Sequence, residues 1–144
     1  MALREAGKIA QEQGIPFTFF MLDVAGLKLF NNRYSREVGD IAIKTSAKFL
    51  IDNIRNDDIL FKFGDSADEF GIILTNSNEK EAQEFYERLL RNLEKYFIIF
   101  KLRKIQFKLP LKLHIGFCIF DQNLNVNEVI LKANEMMNKT KIKL

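Results

Sequence analysis

The stretch FKFGDSADEFGIIL, residues 61–74, contains the clearest structural pattern in the chain. Two apolar runs, ILFKF and EFGIIL, flank the short polar segment GDSAD (64–68). Strand-forming runs on either side of a short turn segment are typical of a β-hairpin. The stretch therefore predicts two paired strands, with the adjacent acids Asp68 and Glu69 at the mouth of the turn.

Hydrophobic spacing outside the hairpin predicts the remaining elements. FTFFMLDV (17–24) is a continuous apolar run, as expected for a strand that is buried on both faces. The order of elements, αβαββαβ(β)βα, favours the α/β (α+β) class, with a mixed central β-sheet flanked by helices. Helical spacing predicts four helices: one at Leu3, Ala6, Ile9 and Ala10, which Gly14 and Pro16 end; one over roughly 37–54; one at Ala82, Phe85, Tyr86, Leu89, Leu90, Leu93 and Phe97; and one at Val129, Ile130, Ala133, Met136 and Met137. Alternating apolar residues predict a strand at Leu111, Leu113, Ile115, Phe117 and Ile119.

Length and composition predict one domain in a reducing compartment. The 144 residues are 47% hydrophobic and 28% charged, which is enough for one core, so residues 1–144 are expected to form a single domain. The lone Cys118 excludes a disulfide within the chain. No apolar run approaches the roughly 20 residues of a membrane span, and the N-terminus lacks a signal-peptide pattern. We therefore expect a cytoplasmic location and no membrane segment in this chain.

Positive charge is concentrated toward the C-terminal end. From residue 100 onward there are nine Lys or Arg residues against three acids, whereas residues 1–99 have thirteen against sixteen. Such a basic region can meet nucleic acid or phosphate, or it can be a solvated face. The solvated face is the favoured interpretation, and no DNA or RNA partner is predicted.

Acids at the ends of two predicted strands suggest a metal site. If the strand ending near Asp23 is central and the hairpin lies beside it, Asp23 can converge with Asp68 or Glu69, although strand alternation prevents it from meeting both. Two carboxylates completed by phosphates suit Mg²⁺, which assists phosphoryl or nucleotidyl transfer. From spacing alone, the favoured alternative is a turn-capping Asp23 with two solvated hairpin acids.

Several motifs in the same order make the chain resemble a known family. MLDVAGLKLFNNRYSREVGD (21–40), followed by NIRNDDILFKFGDSADEFGIIL (53–74), resembles the GGDEF family of diguanylate cyclase domains. LHIGFCIF (113–120) is similar to the family's serine-isoleucine-glycine strand, and LKANEMMNKTK (131–141) to its closing helix. The resemblance implies the nucleotidyl-cyclase-like GGDEF fold. The family's usual opening segment is absent, so we expect the chain to be cut from a longer signalling protein.

The resemblance also implies ligands and site residues. In the family two domains face each other, each holding one GTP, and together they form cyclic di-GMP. The resemblance therefore implies GTP or cyclic di-GMP as ligand, Mg²⁺ when nucleotide is bound, and a homodimer as the catalytic assembly. The implied roles are Mg²⁺ ligation by Asp23 and Asp68, catalysis by Asp68 and Glu69, guanine binding by Asn31 and Asp40, phosphate binding by Lys28 and Lys141, and binding of cyclic di-GMP at an inhibitory site by Arg55 and Asp58.

The chain departs from the family pattern at the catalytic end. Ala25 stands where the family has its second aspartate, and His114 replaces a serine; we interpret His114 as a strand residue rather than a ligand. Further departures are Asn32 for an aspartate, and Ser35 and Arg36 for a glycine and a histidine.

The signature hairpin itself contains a predicted two-residue insertion. Counting forward from the RNDD segment puts the family's glycine pair at 64–65, whereas counting back from Phe70 puts it at 66–67. A shift of two keeps strand parity, so Asp68 can still face Asp23. The side chains at 66–67, however, bring Cβ atoms to a place where the family has glycines beside the triphosphate.

Three functions follow from these residues. The favoured one is a degenerate GGDEF domain that binds guanine nucleotide, GTP or cyclic di-GMP, as a regulatory module with impaired catalysis. The first alternative is an active diguanylate cyclase that converts two GTP to cyclic di-GMP and pyrophosphate. The second is a ligand-free dimerisation module. The altered turn and Ala25 argue against the active cyclase, and the retained polar residues argue against the ligand-free module, so enzymatic activity stays open.

Overall fold

The computed structural model describes residues 2–63, 68–121 and 123–141, and within these ranges the chain forms five helices and six strands. None of the helices in this part of the chain is both long enough and apolar enough to cross a bilayer. The elements are α1 (Ala2–Gln13), β1 (Phe17–Val24), α2 (Leu27–Arg33), α3 (Arg36–Asn53), β2 (Ile59–Lys62), β3 (Glu69–Leu74), α4 (Glu79–Leu93), β4 (Phe97–Leu102), β5 (Ile105–Pro110), β6 (Leu113–Phe120) and α5 (Val126–Lys139).

The central sheet has four strands in the order β2-β3-β1-β6. β1 pairs with β3 on one edge and with β6 on the other, and β3 pairs with β2. The predicted α/β class, with helices flanking a central sheet, is confirmed, and β1 is an interior strand with β3 beside it, as the prediction of a metal site required. The pairing differs in one respect, because all three strand pairs are antiparallel where a mixed sheet was expected. The hairpin folds β3 into the position beside β1, so β2, which runs parallel to β1, lies one strand farther away.

Helices pack on both faces of the sheet because β1 sends alternate side chains into two apolar clusters. Phe20 and Leu22 face the cluster formed with α3, α4, β4 and β5. Phe19 and Met21 face the cluster formed with α1 and α5. All eight residues of β1 are buried, which confirms the prediction of a strand buried on both faces. Cys118 lies in the second cluster, where burial raises the pKa of its thiol.

Two local features differ from the sequence-based expectation. The sequence pattern did not predict α2, a seven-residue helix with no fully buried residue and therefore no strong apolar stripe. Phe97 was predicted on the apolar face of the helix that includes Leu93, but it begins β4 instead. The helix stops earlier because the chain turns after Leu93, where the Tyr96 N–H donates to the Leu93 carbonyl.

Gly116 of β6 allows α5 to pack directly against the sheet. A Cβ atom at this position would overlap the carbonyl oxygen of Ala133 and the backbone nitrogen of Met137. Both are backbone atoms of α5, so they cannot rotate away as the end of a side chain could. The glycine therefore sets the separation between β6 and α5.

We predict that Gly116→Ala lowers the free energy of unfolding by about 3 kcal/mol, the upper end for overpacking, because the colliding atoms belong to backbone. Urea denaturation of the purified domain measures this change. Gly26→Ala is the control, since a Cβ there meets nothing within 4 Å and only the left-handed φ of 72° is unfavourable. That conformation costs an alanine about 1–2 kcal/mol. A Gly116→Ala variant as stable as the wild type would contradict the packing described above.

Candidate functional site

The C-terminal end of β1 brings three polar side chains together around Asp23. Asp23 is only 8% exposed. Its Oδ1 lies 2.7 Å from Nδ1 of His114, which donates because an ionised carboxylate only accepts. Its Oδ2 lies 3.3 Å from Nζ of Lys141, two residues beyond the end of α5. Both carboxylate oxygens are therefore engaged by a donor.

Strand register explains why His114 reaches Asp23. The two residues are direct partners in the β1–β6 ladder, and directly opposed residues in an antiparallel pair share one face of the sheet. Glu69 is the direct partner of Asp23 on the opposite edge, in the β1–β3 ladder. The cross-strand row Glu69, Asp23, His114 consequently lies on the face of the sheet that α5 covers.

Asp68 lies in the turn, one residue before this row. Its backbone carbonyl accepts a hydrogen bond from the Val24 N–H at 3.3 Å. Since successive strand residues alternate between faces, Glu69 rather than Asp68 lies on the same face of the sheet as Asp23. The predicted insertion, at residues 64–67, lies outside the described residues.

The residues predicted to bind guanine lie on α2 and α3. Asn31 of α2 packs so closely on Gly39 of α3 that a Cβ at Gly39 would overlap Oδ1 of Asn31. This Oδ1 is buried, and no residue in the described ranges donates a hydrogen bond to it. A buried acceptor without a donor is a place where a ligand or water is expected. Asp40 follows Gly39 directly and is exposed, as is Lys28 on α2.

The carboxylates at the end of β1 suit Mg²⁺ only together with a nucleotide. Within residues 2–63, 68–121 and 123–141, no group of three or more His, Cys, Asp or Glu side chains is arranged to hold a metal. Mg²⁺ is commonly bound by one or two carboxylates, with water and substrate phosphates completing its shell. Asp23 with one acid of the 68–69 pair meets that minimum.

A second polar cluster is built on the buried carboxylate of Asp58. The Asp58 side chain is 0% exposed and accepts from the Arg55 backbone N–H at 2.9 Å, from Nε at 3.2 Å and from Nη2 at 3.1 Å. The guanidinium also donates to the carbonyl of Thr75 at 3.2 Å. The hydrogen bond with Asp58 is the main cause that raises the pKa of Arg55. The Arg55 side chain is nevertheless 53% exposed, and it is presented to solvent in a set orientation.

Two arginines of α4 share a groove with Arg55. The groove has a volume of about 420 Å³, within the range of ligand pockets, and Arg88 and Arg91 line it. Arg88 is held by a 2.6 Å hydrogen bond from Nη2 to the carbonyl of Asn53. Its guanidinium carbon also lies 5.1 Å from the ring centroid of Phe85. Glu81 and Glu84 also line the groove, so its three guanidinium groups and two carboxylates suit a ligand that presents both anionic groups and N–H donors.

Comparison with known proteins identifies the family. The sequence model of the GGDEF domain of diguanylate cyclases matches residues 1–143. The chain belongs to the GGDEF domain family. The resemblance seen in the sequence motifs is therefore confirmed.

Individual relatives agree with this GGDEF assignment. The probable diguanylate cyclase DgcT of Escherichia coli (strain K12) is 29% identical over 135 residues, which cover 92% of this chain and 28% of that protein. The chain thus spans little more than a quarter of the relative's length. The crystal structure of the GGDEF domain of DgcB from Caulobacter crescentus, in complex with cyclic di-GMP, superposes with a TM-score of 0.84 at 18% identity, covering 96% of this chain and 80% of that one. A microbial GGDEF domain solved for its interaction with cyclic di-GMP matches at 25% identity and a TM-score of 0.73, covering 96% and 78%.

The GGDEF fold distributes the predicted site residues over three places. Asp23, Glu69 and Lys141 meet at the end of β1, with Asp68 beside them in the turn. Lys28 and Asn31 lie on α2 and Asp40 lies on α3, and these are the residues expected to contact phosphate and guanine. Arg55 and Asp58 form the ion pair described above, between α3 and β2.

The sequence analysis missed three residues of these sites. His114 was interpreted as a strand residue, which its position in β6 agrees with, but its hydrogen bond to Asp23 depends on the β1–β6 register, which no local pattern reveals. Arg88 and Arg91 did carry a usable signal. They are three residues apart on a helix, so they share one face, and that face continues the groove at Arg55.

We predict that Asp58→Ala lowers the free energy of unfolding by about 1–3 kcal/mol, because the Arg55 segment loses its buried acceptor. Asp57→Ala is the matched control: this neighbouring carboxylate is exposed, and such surface changes cost within about 0.5 kcal/mol. Thermal and urea unfolding of both variants measure the difference. Equal effects of the two substitutions would show that Asp58 does not anchor the segment.

Proposed function

We propose that this GGDEF domain is a degenerate regulatory module that binds a guanine nucleotide, cyclic di-GMP or GTP, and whose catalysis is impaired. The observation that carries the proposal is the groove in which Arg55, fixed by Asp58, stands beside Arg88 and Arg91. Cyclic di-GMP is the ligand that this groove supports best.

The chemistry of the groove matches the chemistry of cyclic di-GMP. The ligand presents two phosphates and two guanine edges, and a guanidinium can bind either a phosphate or the O6 and N7 atoms of guanine with two parallel hydrogen bonds. Because Asp58 already orients Arg55, and Asn53 and Phe85 already hold Arg88, little side-chain freedom is lost on binding. The groove residues Glu81 and Glu84 add acceptors for the N–H groups of guanine.

The end of β1 supports impaired catalysis. Both oxygens of Asp23 already accept from a donor, His114 or Lys141, so a metal ion would have to share these oxygens with the two donors. Ala25 supplies no carboxylate. When Mg²⁺ is bound with nucleotide it neutralises phosphate charge. The residues that we propose for this state are Asp23, Asp68 and Glu69 toward the metal, Asn31 and Asp40 toward guanine, and Lys28 and Lys141 toward the phosphates.

The wider context of the domain is also proposed. DgcT is several times longer than the part that this chain matches, which supports residues 1–144 as one domain of a longer signalling protein. A cytoplasmic location gives access to GTP, and a homodimer would bring together the two nucleotides that cyclic di-GMP formation requires.

For cyclic di-GMP, we predict that Arg88→Ala weakens binding by about 10- to 100-fold, the value of one charge-assisted contact to phosphate. Isothermal titration calorimetry on the wild-type and variant domains measures the affinity. Arg4→Ala, on the exposed surface of α1, removes the same charge outside the groove and should bind as the wild type does.

The wild-type titration decides between ligand classes. Absence of cyclic di-GMP binding by the wild type would overturn the groove assignment. If the wild type bound neither cyclic di-GMP nor GTP, the ligand-free dimerisation module would be the better description. Binding of GTP alone, lost in Asp40→Ala, would retain the nucleotide site and reject the groove.

We predict no conversion of GTP by concentrated domain in the presence of Mg²⁺, because a metal ion would have to share the oxygens of Asp23 with His114 and Lys141, and Ala25 lacks a carboxylate. Chromatography of the nucleotides after incubation measures the product. Formation of cyclic di-GMP that disappears in Asp68→Ala would establish the active cyclase instead. Comparing Asp68→Ala with Glu69→Gln would then show which acid serves the metal.

A further inference from the structure

A basic and partly apolar surface, named here the lysine face, lies outside the nucleotide sites. It combines the exposed side of α3 with the outward side of the β4–β5 hairpin. The strand alternation defines the hairpin part, since Ile98 and Phe100 are buried and the residues between and beside them point outward. The lysine face consists of Lys44, Lys48, Lys95, Phe97, Ile99, Lys101 and Lys108.

The hairpin and groove parts of the lysine face carry only positive charge, while on α3 the exposed acids Asp40 and Asp52 lie one turn from Lys44 and Lys48. Residues 95–112 contain six Lys or Arg residues and no acid. The open groove between α3 and the hairpin is lined by four lysines and likewise by no Asp or Glu among the described residues. Residues 95–112 therefore account for much of the positive charge toward the C-terminal end, and none of them belongs to either proposed nucleotide site.

An exposed aliphatic side chain accompanies these lysines. Ile99 is 54% exposed in the middle of the lysine face, whereas Ile105, at the start of β5, pairs with Leu102 and belongs to the other face of the hairpin. A face that only needs solvation gains nothing from exposing large aliphatic groups among its charges. Exposed apolar groups rimmed by one sign of charge instead indicate an interaction surface.

The tip of the hairpin extends the same composition. Arg103 and Lys104 connect β4 to β5 and have φ values of 50° and 68°. A two-residue hairpin turn of this type is usually made from Asn and Gly, which adopt positive φ at little cost. Here two basic residues occupy it, with the exposed Ile105 next to them. Positive charge is thus kept at the tip despite a less favourable backbone conformation.

We propose that the lysine face binds an anionic lipid surface. The four groove lysines and Lys101 attract phosphate headgroups by charge, and their long stems allow the ammonium groups to stay at headgroup level. Ile99 enters the layer just below, as apolar residues of interfacial segments do. Headgroups are mobile, so a surface of single-point ammonium donors needs no fixed pairing geometry to bind them.

Nucleic acid fits the lysine face less well. Binding of single strands relies on free aromatic faces for base stacking. The Phe97 ring is already covered by Nζ of Lys108, 4.4 Å from its centroid. Tyr96, the other aromatic of the groove, packs edge-on against Phe49. An acidic protein would meet the charge, but an exposed isoleucine among mobile lysines matches the layered chemistry of a bilayer surface more closely.

The test is co-sedimentation of the domain with vesicles of phosphatidylcholine alone and of phosphatidylcholine with about 30 mol% phosphatidylglycerol. We expect binding only to the anionic vesicles, weakened by salt. The double variant Lys101→Ala/Lys108→Ala should bind at least about tenfold more weakly, because each lysine near an anionic surface contributes to the partition. Lys8→Ala/Lys132→Ala removes the same charge from α1 and α5 and should bind as the wild type does.

An apolar pair of variants separates lipid insertion from charge attraction. Ile99→Ser should reduce binding to anionic vesicles, whereas Leu131→Ser, on a side chain that is 57% exposed on α5, should not. All of these positions are exposed, so the variants are expected to remain folded, and circular dichroism verifies this. Failure of the wild type to bind anionic vesicles would overturn the proposal, as would equal losses in the control variants. Binding of poly-glutamate or of a labelled oligonucleotide without vesicle binding would equally reject it, in favour of an acidic protein or a nucleic acid.

Discussion

The structure depends on β1 being hydrogen-bonded along both edges and buried on both faces. β3 and β6 fix its register, while the two helical layers receive its alternate side chains. A strand with so many neighbours cannot shift by one residue, because that would send every side chain to the wrong layer. Asp23, near its end, is consequently held between Glu69 and His114 with no freedom of register.

That constraint has an electrostatic consequence at the same place. A carboxylate as buried as Asp23 requires donors, and His114 and Lys141 supply them from β6 and from the end of α5. The close approach of α5 at Gly116 is what brings the helix onto this face. The contacts that satisfy the fold therefore involve both oxygens of the carboxylate that was predicted to bind a metal ion. Arg55 and Asp58 show the same arrangement, since the acid is the buried partner and the guanidinium that holds it is 53% exposed.

The accuracy of the sequence analysis followed the strength of the local pattern. Residues 17–24 and the strands around the hairpin were predicted correctly, because eight consecutive buried residues, or an apolar run beside a turn, leave few alternatives. α2 was missed since its residues are at most half-buried. Phe97 was misassigned because its spacing continued the helical period, and only the turn after Leu93 ended it. Among candidate site residues, Arg55 and Asp58 were proposed from motif positions, whereas Arg88 became a candidate only through the shape of the groove.

The sequence by itself determined the family, the order of most elements and the motif residues, since these reside in local runs and spacings that a linear chain displays. Only the tertiary structure decided which residues meet. The β1–β6 register paired His114 with Asp23, and the packing of α5 delivered Lys141 to the same carboxylate. The β4–β5 hairpin likewise joined its lysines to those of α3. Each of these contacts joins distant parts of the chain, and such contacts are selected by the free energy of packing the whole domain rather than by any segment alone.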